Sequence, residues 1–221
     1  MKIAAIIPAG GSSSRYKGKN KLLEKLGNKP VIMHSIDTIS SISQVSEIII
    51  PASSELIPIL EGLVKGYEKV KIVQGGKCRQ ESVYNGLKAC PDCNYVLIHD
   101  AARPLIKKLT IINAIEDTFE KKAVIVAVRT IDTIKIVDKN YKIIETPNRD
   151  NLWNVQTPQI FDYNLIFDAH KKLEGQSFSD DGGLLEFLNK DVYIFEGDYT
   201  NFKITTTNDL LQAEKILECN K

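Results

Sequence analysis

The sequence predicts an α/β protein with a doubly wound, mostly parallel β-sheet. Short β-branched runs recur along the first 128 residues, segments of helical length separate them, and most of the runs are almost continuously apolar. Continuous apolarity is typical of strands buried on both faces, and regular alternation with helices favours a parallel sheet.

The elements follow in that order along the chain. The predicted strands are residues 3–7, 47–50, 70–73, 95–98 and 124–128. The predicted helices between them are residues 30–40, 54–65, 80–89 and 108–121, and Pro30 suits a first helical turn. Because ligands of such sheets bind beyond the carboxyl ends of the strands, we expect the functional residues directly after the strands.

After residue 128 the pattern changes to a hairpin. Residues 133–137 and 141–144 are apolar β stretches around Asp138-Lys139-Asn140. A lone hairpin cannot bury both faces, so we expect an arm at about residues 131–152 that packs on the body or joins a homodimer. Further predicted elements are helices at 164–173, 183–188 and 208–217 and a strand at 192–195, and residues 1–221 are expected to form a single domain.

Composition narrows the functional class. The chain has 221 residues, 43% hydrophobic and 26% charged, which suits one globular core. A net charge of +1 argues against nucleic-acid binding through bulk charge. Since no apolar run reaches a spanning length, we expect no membrane partner and a cytoplasmic location.

The four cysteines do not predict a disulfide scaffold. Cys90 and Cys93 have C-x-x-C spacing, but no second pair or histidine cluster accompanies them, and a zinc site needs more ligands. A turn with two reduced thiols is the plainer interpretation.

A glycine-rich turn follows the first apolar run. Pro8-Ala9-Gly10-Gly11-Ser12-Ser13-Ser14-Arg15, with Lys21 soon after, suits a polyphosphate, because glycines allow close backbone approach and the cations add positive charge. It matches neither the Walker loop nor the G-x-G-x-x-G fingerprint. An ordinary strand-to-helix turn with a solvated basic stretch is the alternative.

Further polar clusters follow later strands. Gly75 to Ser82 forms a second glycine turn, which could contact a nucleobase edge or be a plain strand-to-helix turn. Asp100 follows a buried strand, where one carboxylate suits Mg²⁺. Arg103 is expected to face the same crevice, and His99 is expected to be packed. A turn or cap role for Asp100 is the alternative.

Arg149 and Thr157 are candidate phosphate ligands. Because Arg149 follows the hairpin, it could reach a neighbouring subunit. Lys203 precedes the last helix and could equally be a solvated surface lysine.

Together these motifs resemble the 2-C-methyl-D-erythritol 4-phosphate cytidylyltransferase family. The matching segments, in chain order, are Pro8 to Arg15 with Lys21, Gly75-Gly76-x-x-Arg79-x-x-Ser82, His99-Asp100-Ala101-Ala102-Arg103-Pro104, Asp132-Thr133-Ile134-Lys135, Arg149-x-x-Leu152-Trp153-x-x-Gln156-Thr157-Pro158-Gln159 and Asn201-x-Lys203. The resemblance implies transfer of a cytidylyl group from CTP to 2-C-methyl-D-erythritol 4-phosphate with release of pyrophosphate, in isoprenoid precursor biosynthesis. It also implies Mg²⁺ and a Rossmann-like fold whose hairpin arm joins a homodimer.

The resemblance also implies residue roles. The implied catalytic residues are Arg15, Lys21 and Lys203. The implied CTP-binding residues are Ala9, Gly10, Gly11, Arg15, Lys21, Gly75, Gly76, Lys77, Ser82 and Asp100. The implied acceptor-binding residues are Asp100, Arg103, Thr133, Arg149, Thr157 and Lys203, with Asp100 at the metal and Thr133 and Arg149 from the partner's arm. Two residues depart from the common family pattern, Tyr16 after the arginine and Lys77 in the second glycine turn.

Two other functions stay open. Ribitol 5-phosphate cytidylyltransferases are similar, although Ala101-Ala102 and Leu152-Trp153 favour the methylerythritol family. A nucleotide-binding protein without turnover is the alternative from another class. Catalysis needs no general base here, because a phosphomonoester with a second pKa of about 6 is already a nucleophile at neutral pH.

Overall fold

A seven-stranded sheet forms the centre of the computed structural model, which describes residues 1–10 and 20–219. The sheet strands are β1 (Ile3–Ile6), β4 (Val45–Ala52), β5 (Val70–Gln74), β6 (Tyr95–Ile98), β7 (Ala123–Arg129), β10 (Trp153–Asp162) and β11 (Tyr193–Glu196). Their spatial order is β11-β7-β10-β6-β1-β4-β5. Two short hairpins stand apart, β2 (Lys25–Leu26) with β3 (Lys29–Pro30), and β8 (Ile136–Val137) with β9 (Ile143–Glu145).

Helices cover both faces of the sheet. They are α1 (Val31–Ser40), α2 (Ile57–Leu63), α3 (Arg79–Lys88), α4 (Lys108–Lys121), α5 (Tyr163–Lys172), α6 (Gly182–Phe187) and α7 (Thr207–Cys219), with a 3-10 turn at Arg149–Asn151. Successive residues of β1 face opposite sides, so Ile3, Ala5 and Ile7 join one buried cluster while Ala4 and Ile6 join the other. The sheet is therefore buried on both faces, as its continuous apolarity predicts.

Pairing in the sheet is mostly parallel, which confirms the predicted fold class. The pairs β1–β4, β1–β6, β4–β5 and β7–β11 are parallel. The exception is β10, which runs antiparallel to both β6 and β7. The sequence did not predict this ten-residue strand, because its first residues are mainly exposed and its buried part begins with Gln156-Thr157-Pro158-Gln159, which is not an apolar run.

Smaller differences concern element ends. The predicted helix 54–65 is only Ile57–Leu63, since residues from Ser53 form a turn in which the Leu56 N–H donates to the Ser53 carbonyl at 2.9 Å. The predicted hairpin exists, but its paired strands have only two and three residues. Cys90 and Cys93 are free, buried thiols in the core. None of the helices in the described part of the chain has the length and apolarity of a membrane span.

Candidate active site

The carboxyl ends of three parallel strands meet at one edge of the sheet. Ile6 of β1 pairs with both Ile49 and Ile98, so β1 and β6 end side by side while β4 continues past them to Ala52. Because β10 is antiparallel, its residue Gln159 pairs with Ile98 and its preceding residues lie beyond the end of β6. This arrangement brings Asp100, which follows β6, next to Thr157 of β10.

Asp100 lies among three cations. Its Oδ1 is 3.0 Å from Nε of Arg79, and its Oδ2 is 2.8 Å from Nζ of Lys203 and 3.8 Å from Nε of Arg103. Burial raises the pKa of Asp100, but the positive charges of Arg79, Lys203 and Arg103 outweigh this effect and hold that pKa well below its usual range. The Asp100 side chain is therefore a carboxylate at neutral pH.

A buried hydrogen-bonded chain fixes the backbone beside this carboxylate. The Asp100 N–H donates to Oγ1 of Thr157 at 3.0 Å, and that oxygen lies 3.0 Å from Nδ1 of His99. Nε2 of His99 is 3.1 Å from the carbonyl oxygen of Arg103, which requires an N–H at Nε2. Burial lowers the pKa of His99 to about 4, so the ring is neutral and Nδ1 accepts the Thr157 hydroxyl proton.

His99 is thus packed, as the sequence analysis expects. Thr157 is 3% exposed and its hydroxyl proton points to His99, which leaves that hydroxyl no proton for an acceptor phosphate. The geometry therefore favours a positioning role for Thr157 over the direct phosphate contact that the sequence predicts. Asn201 supports the same segment, donating from Nδ2 to the Thr157 carbonyl at 2.8 Å.

Asp100 lines a crevice with a volume of about 490 Å³. The described charged residues that line it are three cations and three carboxylates: Arg79, Arg103, Lys203, Asp100, Asp180 and Glu186. Burial lowers the pKa of Arg103, whose guanidinium donates from Nη1 to the Asn201 carbonyl at 2.8 Å. Arg103 and Lys203 therefore lie where the sequence predicts, beside Asp100.

The second glycine turn joins β5 to α3. Ser82 Oγ accepts from the Gly76 N–H at 3.0 Å and donates to the Cys78 carbonyl at 2.9 Å, so a buried hydroxyl holds the turn closed. A Cβ on Gly10 would lie 3.1 Å from Ser82 Oγ. The first glycine turn therefore begins against the second, and Ala9 forms a parallel bridge to Ala52 of β4.

Lys77 is exposed, and its N–H is already bonded to Oε2 of Glu81 at 2.8 Å. A Cβ on Gly76 would lie 2.3 Å from the Glu81 side chain, so this glycine is required by close approach rather than by a ligand alone. The structure thus accounts for part of the turn's sequence by local packing.

Two predicted acceptor-binding residues lie away from the crevice within this chain. Thr133 and Arg149 are exposed at the hairpin arm, and Nη1 of Arg149 donates to the Ile131 carbonyl at 3.1 Å. Neither lines the crevice. Gly11 and Arg15 lie outside the described residues, while Lys21 is described and partly buried in the turn that follows them.

The structure adds residues that the sequence analysis did not assign. Arg79 contacts Asp100, and Asp180, Asp181 and Glu186 approach from the segment before and within α6. Gln159 connects these parts, because its Oε1 accepts from the Asp181 N–H at 3.1 Å. No spacing rule joins residues 79, 100, 159 and 181, and they meet only in the folded chain, where the start of α3, the end of β6, β10 and the start of α6 lie together.

Comparisons with known proteins match nearly the whole chain to one family. The profile of the family described as IspD, 2-C-methyl-D-erythritol 4-phosphate cytidylyltransferase, matches residues 3–219. Enzymes of that name from Clostridium botulinum (strain 657 / Type Ba4) and Alkaliphilus oremlandii are 42% and 43% identical to this chain. The alignments cover 98% of this chain and 98% of the first relative, and 100% of this chain and 97% of the second.

Solved structures show the same likeness. The crystal structure of 4-diphosphocytidyl-2C-methyl-D-erythritol synthase from Anaerococcus prevotii has a TM-score of 0.88 at 33% identity, covering 98% of this chain and 96% of that one. The 2-C-methyl-D-erythritol 4-phosphate cytidylyltransferase of Francisella tularensis has a TM-score of 0.84 at 29% identity, covering 97% and 99%. With a profile match over nearly the whole chain and full-length relatives above 40% identity, the chain belongs to the 2-C-methyl-D-erythritol 4-phosphate cytidylyltransferase family.

Proposed function

We propose that the protein transfers the cytidylyl group of CTP to 2-C-methyl-D-erythritol 4-phosphate, giving 4-diphosphocytidyl-2-C-methyl-D-erythritol and pyrophosphate. This reaction is a step of isoprenoid precursor biosynthesis. The main support is the carboxylate of Asp100 held among Arg79, Arg103 and Lys203 in a crevice at the carboxyl edge of the sheet. Family membership over residues 3–219 gives the substrates.

The reaction is an in-line displacement at phosphorus. An oxygen of the acceptor phosphate attacks the α-phosphorus of CTP, and the bond from that phosphorus to the oxygen bridging to the β-phosphate breaks. Pyrophosphate leaves with the bonding pair. The acceptor phosphate is already ionised, so the protein must align the two phosphates and neutralise developing charge. This requirement suits the site, because the nearby His99 is fully buried, does not line the crevice, and is committed to the Thr157 and Arg103 hydrogen bonds.

Residue roles divide between the two substrates. Lys203, whose ammonium lies at the crevice beside Asp100, would hold the attacking phosphate, and Arg103 would line the same side. Arg15 and Lys21 are proposed to bind the triphosphate and to act with Lys203 in catalysis. Ala9, Gly10 and Gly11 would lie along the triphosphate, and Gly75, Gly76, Lys77 and Ser82 around the cytosine, where the buried Ser82 hydroxyl keeps the turn in shape.

Mg²⁺ is the proposed metal, and Asp100 is its proposed protein ligand. Within residues 1–10 and 20–219 no group of three or more His, Cys, Asp and Glu side chains is placed to hold a metal ion. One carboxylate still fits Mg²⁺, since this ion takes few protein carboxylates and completes its shell with phosphate oxygens and water. When bound, it would supply positive charge to the triphosphate. Loss of turnover on chelation, with recovery on adding Mg²⁺, tests this assignment.

A homodimer through the hairpin arm is the proposed assembly. The arm exposes apolar side chains that a lone chain leaves in water: Ile134 (41% exposed), Ile136 (44%), Val137 (44%), Ile143 (56%), Ile144 (65%) and Tyr141 (87%). Burying such a patch against a second copy would remove it from solvent. The partner's Thr133 and Arg149 would then complete the acceptor side of the crevice.

Sedimentation of the Ile143→Lys, Ile144→Lys double variant tests the assembly. We expect a monomer with greatly reduced turnover, since two charges would replace apolar contacts. The matched control is Leu109→Lys, which alters an apolar side chain that is 67% exposed on α4, outside the arm. A fully active monomeric double variant would refute the contribution of Arg149 across the interface.

Substrate identity is tested by pyrophosphate release over a grid of four nucleotides and several alditol phosphates. We expect turnover with CTP and 2-C-methyl-D-erythritol 4-phosphate. A preference for ribitol 5-phosphate would transfer the assignment to the neighbouring family, and CTP binding without pyrophosphate release would indicate a nucleotide-binding protein. The expected cytoplasmic location stays a prediction that cell fractionation can test.

A further inference from the structure

Asp181 is a buried carboxylate for which the proposed chemistry has no direct use. It is 1% exposed, and it immediately precedes α6. Its side chain does not cap that helix, because it accepts no hydrogen bond from a backbone N–H at the α6 N-terminus. Burying an ionised carboxylate is costly unless it is paired, so its partners should explain its presence.

The partners of Asp181 are a guanidinium and an imidazole. Nη1 of Arg79 lies 2.7 Å from Oδ2, and Nε2 of His170 lies 3.4 Å from Oδ1. Burial raises the pKa of Asp181, but the neighbouring Arg79 charge and His170 outweigh it and keep that pKa below its usual range. Asp181 is therefore an anion at neutral pH, facing Arg79.

Arg79 connects Asp181 to the crevice. While Nη1 of Arg79 pairs with Asp181, its Nε donates to Oδ1 of Asp100 at 3.0 Å. Burial lowers the pKa of Arg79, but the negative charges of Asp181 and Asp100 outweigh this effect and raise that pKa above its usual range. The Arg79 guanidinium therefore keeps its positive charge. The guanidinium is planar and rigid, so holding one edge fixes the direction of the other.

Each oxygen of Asp100 depends on a different cation. Among the described residues, Oδ1 is paired with Arg79, while Oδ2 is paired with Lys203 and, at longer range, Arg103. The Lys203 side chain is 38% exposed and pairs with Asp100, whereas the Arg79 side chain is 28% exposed and pairs with both Asp100 and Asp181. Arg79 is thus the rigid support of Asp100, and Asp181 is the support of Arg79.

We propose that Asp181 is a positioning residue of the transferase site, which orients the Asp100 carboxylate through the Arg79 guanidinium that lies between them. The proposal rests on the proposed function and adds a residue that touches neither substrate. Displacing a reacting group by about 1 Å can cost about 100-fold in rate. Loss of a residue that orients a metal ligand without contacting the metal typically lowers metal affinity or activity by about 10- to 100-fold.

Asp181→Asn is the direct test, because it keeps the shape and removes the charge. We expect kcat to fall about 10- to 100-fold while the KM for CTP changes less than about threefold, since Asp181 is 1% exposed and does not line the crevice. Arg79→Lys keeps a positive charge but cannot bridge two carboxylates, and it should lower kcat similarly. Adding Asp181→Asn to Arg79→Lys should then cost less than about threefold more, because both changes break one bridge.

Asp162→Ala is the matched control for loss of stability. Asp162 caps α5, with Oδ1 accepting from the Leu165 N–H at 3.1 Å, and it lies outside the crevice. Its removal should destabilise the protein and leave kcat unchanged. An equal fall of kcat in Asp162→Ala and Asp181→Asn would overturn the proposal, as would multiplicative losses in the double variant.

Crystal structures separate this inference from the proposed function. Absence of wild-type turnover would refute the proposed function alone, and the Asp181→Asn structure would still decide the positioning role. We expect the Arg79 guanidinium to move away from Asp100, and a contact retained at the 3.0 Å of the parent chain would overturn the inference. If Asp181→Asn does not fold, an Arg79→Lys variant with unchanged kcat would overturn it instead.

Discussion

Asp100→Asn should change turnover and anion binding in opposite directions. The substitution keeps the backbone N–H that donates to Thr157 at 3.0 Å, but it removes the charge that three cations surround. The described lining then changes from three cations against three carboxylates to three against two. The crevice gains one net positive charge and loses the group that orients Arg79 and Lys203.

The size of each effect follows from this geometry. The interaction energy of two unit charges about 4 Å apart is about 4 kcal/mol near a protein surface and about 1 kcal/mol in water. Because the crevice is open, we expect pyrophosphate in the absence of Mg²⁺ to bind about 1–2 kcal/mol more tightly, which is roughly 5- to 30-fold. By contrast, kcat measured with Mg²⁺ should fall about 100-fold or more, because the proposed metal ligand is lost and Lys203 loses the carboxylate it pairs with.

Stability should fall as well. Removing one partner of a buried ion pair costs about 3–5 kcal/mol, and partial exposure of Lys203 lowers this to about 2–3 kcal/mol. Because the pKa of Asp100 is lowered by folding, this stabilisation is present above its unfolded pKa of about 3.9 and is lost as pH falls towards the folded value. The difference between variant and parent should therefore shrink below about pH 4.

Three assays check this set. Steady-state pyrophosphate release gives kcat, titration calorimetry gives the Kd of pyrophosphate, and urea unfolding gives stability. Asp117→Asn is the control, since that carboxylate pairs with Lys121 on α4, away from the crevice, and should alter kcat and Kd less than twofold. Weaker pyrophosphate binding in Asp100→Asn, or an unchanged kcat, would refute the reasoning.

Three further predictions concern a cation, a histidine and a glycine. Lys21→Ala should lower kcat more than it raises the KM for CTP, because its contact strengthens in the transition state; steady-state kinetics would contradict this by showing a change in KM alone. Folding lowers the pKa of His99 to about 4, so the unfolded chain binds more protons than the folded chain between about pH 6.5 and 4. The free energy of unfolding therefore decreases as the pH is lowered through this range. From pH 7 to 5 this loss should be about 2 kcal/mol by urea unfolding, and His99→Gln should lack it; an equal pH dependence in both proteins would exclude His99 as its source. Gly86→Ala should lower the melting temperature despite a helix-propensity gain of about 1 kcal/mol, because the new Cβ would lie 2.8 Å from Cγ2 of Ile6. A higher melting temperature would show that α3 can shift on the sheet.

The predictability of the fold differs between its two halves. In the first 128 residues, buried parallel strands alternate with helices and each type has its own apolar pattern, so the order of the sheet strands and helices is predicted correctly, whereas the short hairpin of β2 and β3 is not predicted. In β10 the pattern fails, because Trp153 to Val155 is mainly exposed while residues from Gln156 to Phe161 are buried between two neighbours. Burial there depends on which strands lie alongside, and that information is absent from local periodicity.

The residues of the candidate site also divide into those that the sequence identifies and those that only the folded structure identifies. Asp100, Arg103 and Lys203 could be identified because each follows a strand or precedes a helix within a recognisable motif. Direct contact by Thr157 could not be judged, since the direction of its hydroxyl proton depends on the tautomer of a buried histidine. Arg79 and Asp181 are far apart in sequence, and they meet because α3 and α6 both pack against α5.

The sequence by itself determined the α/β class, the strand-end positions of the polar clusters and the family, because these follow from local periodicity and from motifs in order along the chain. The tertiary structure alone decided how charges are shared around Asp100 and which carboxylate supports Arg79. The physical reason is range: periodicity and motif spacing are local properties of the chain, whereas ion pairing depends on distances of a few ångströms between residues that are brought together only when the sheet assembles.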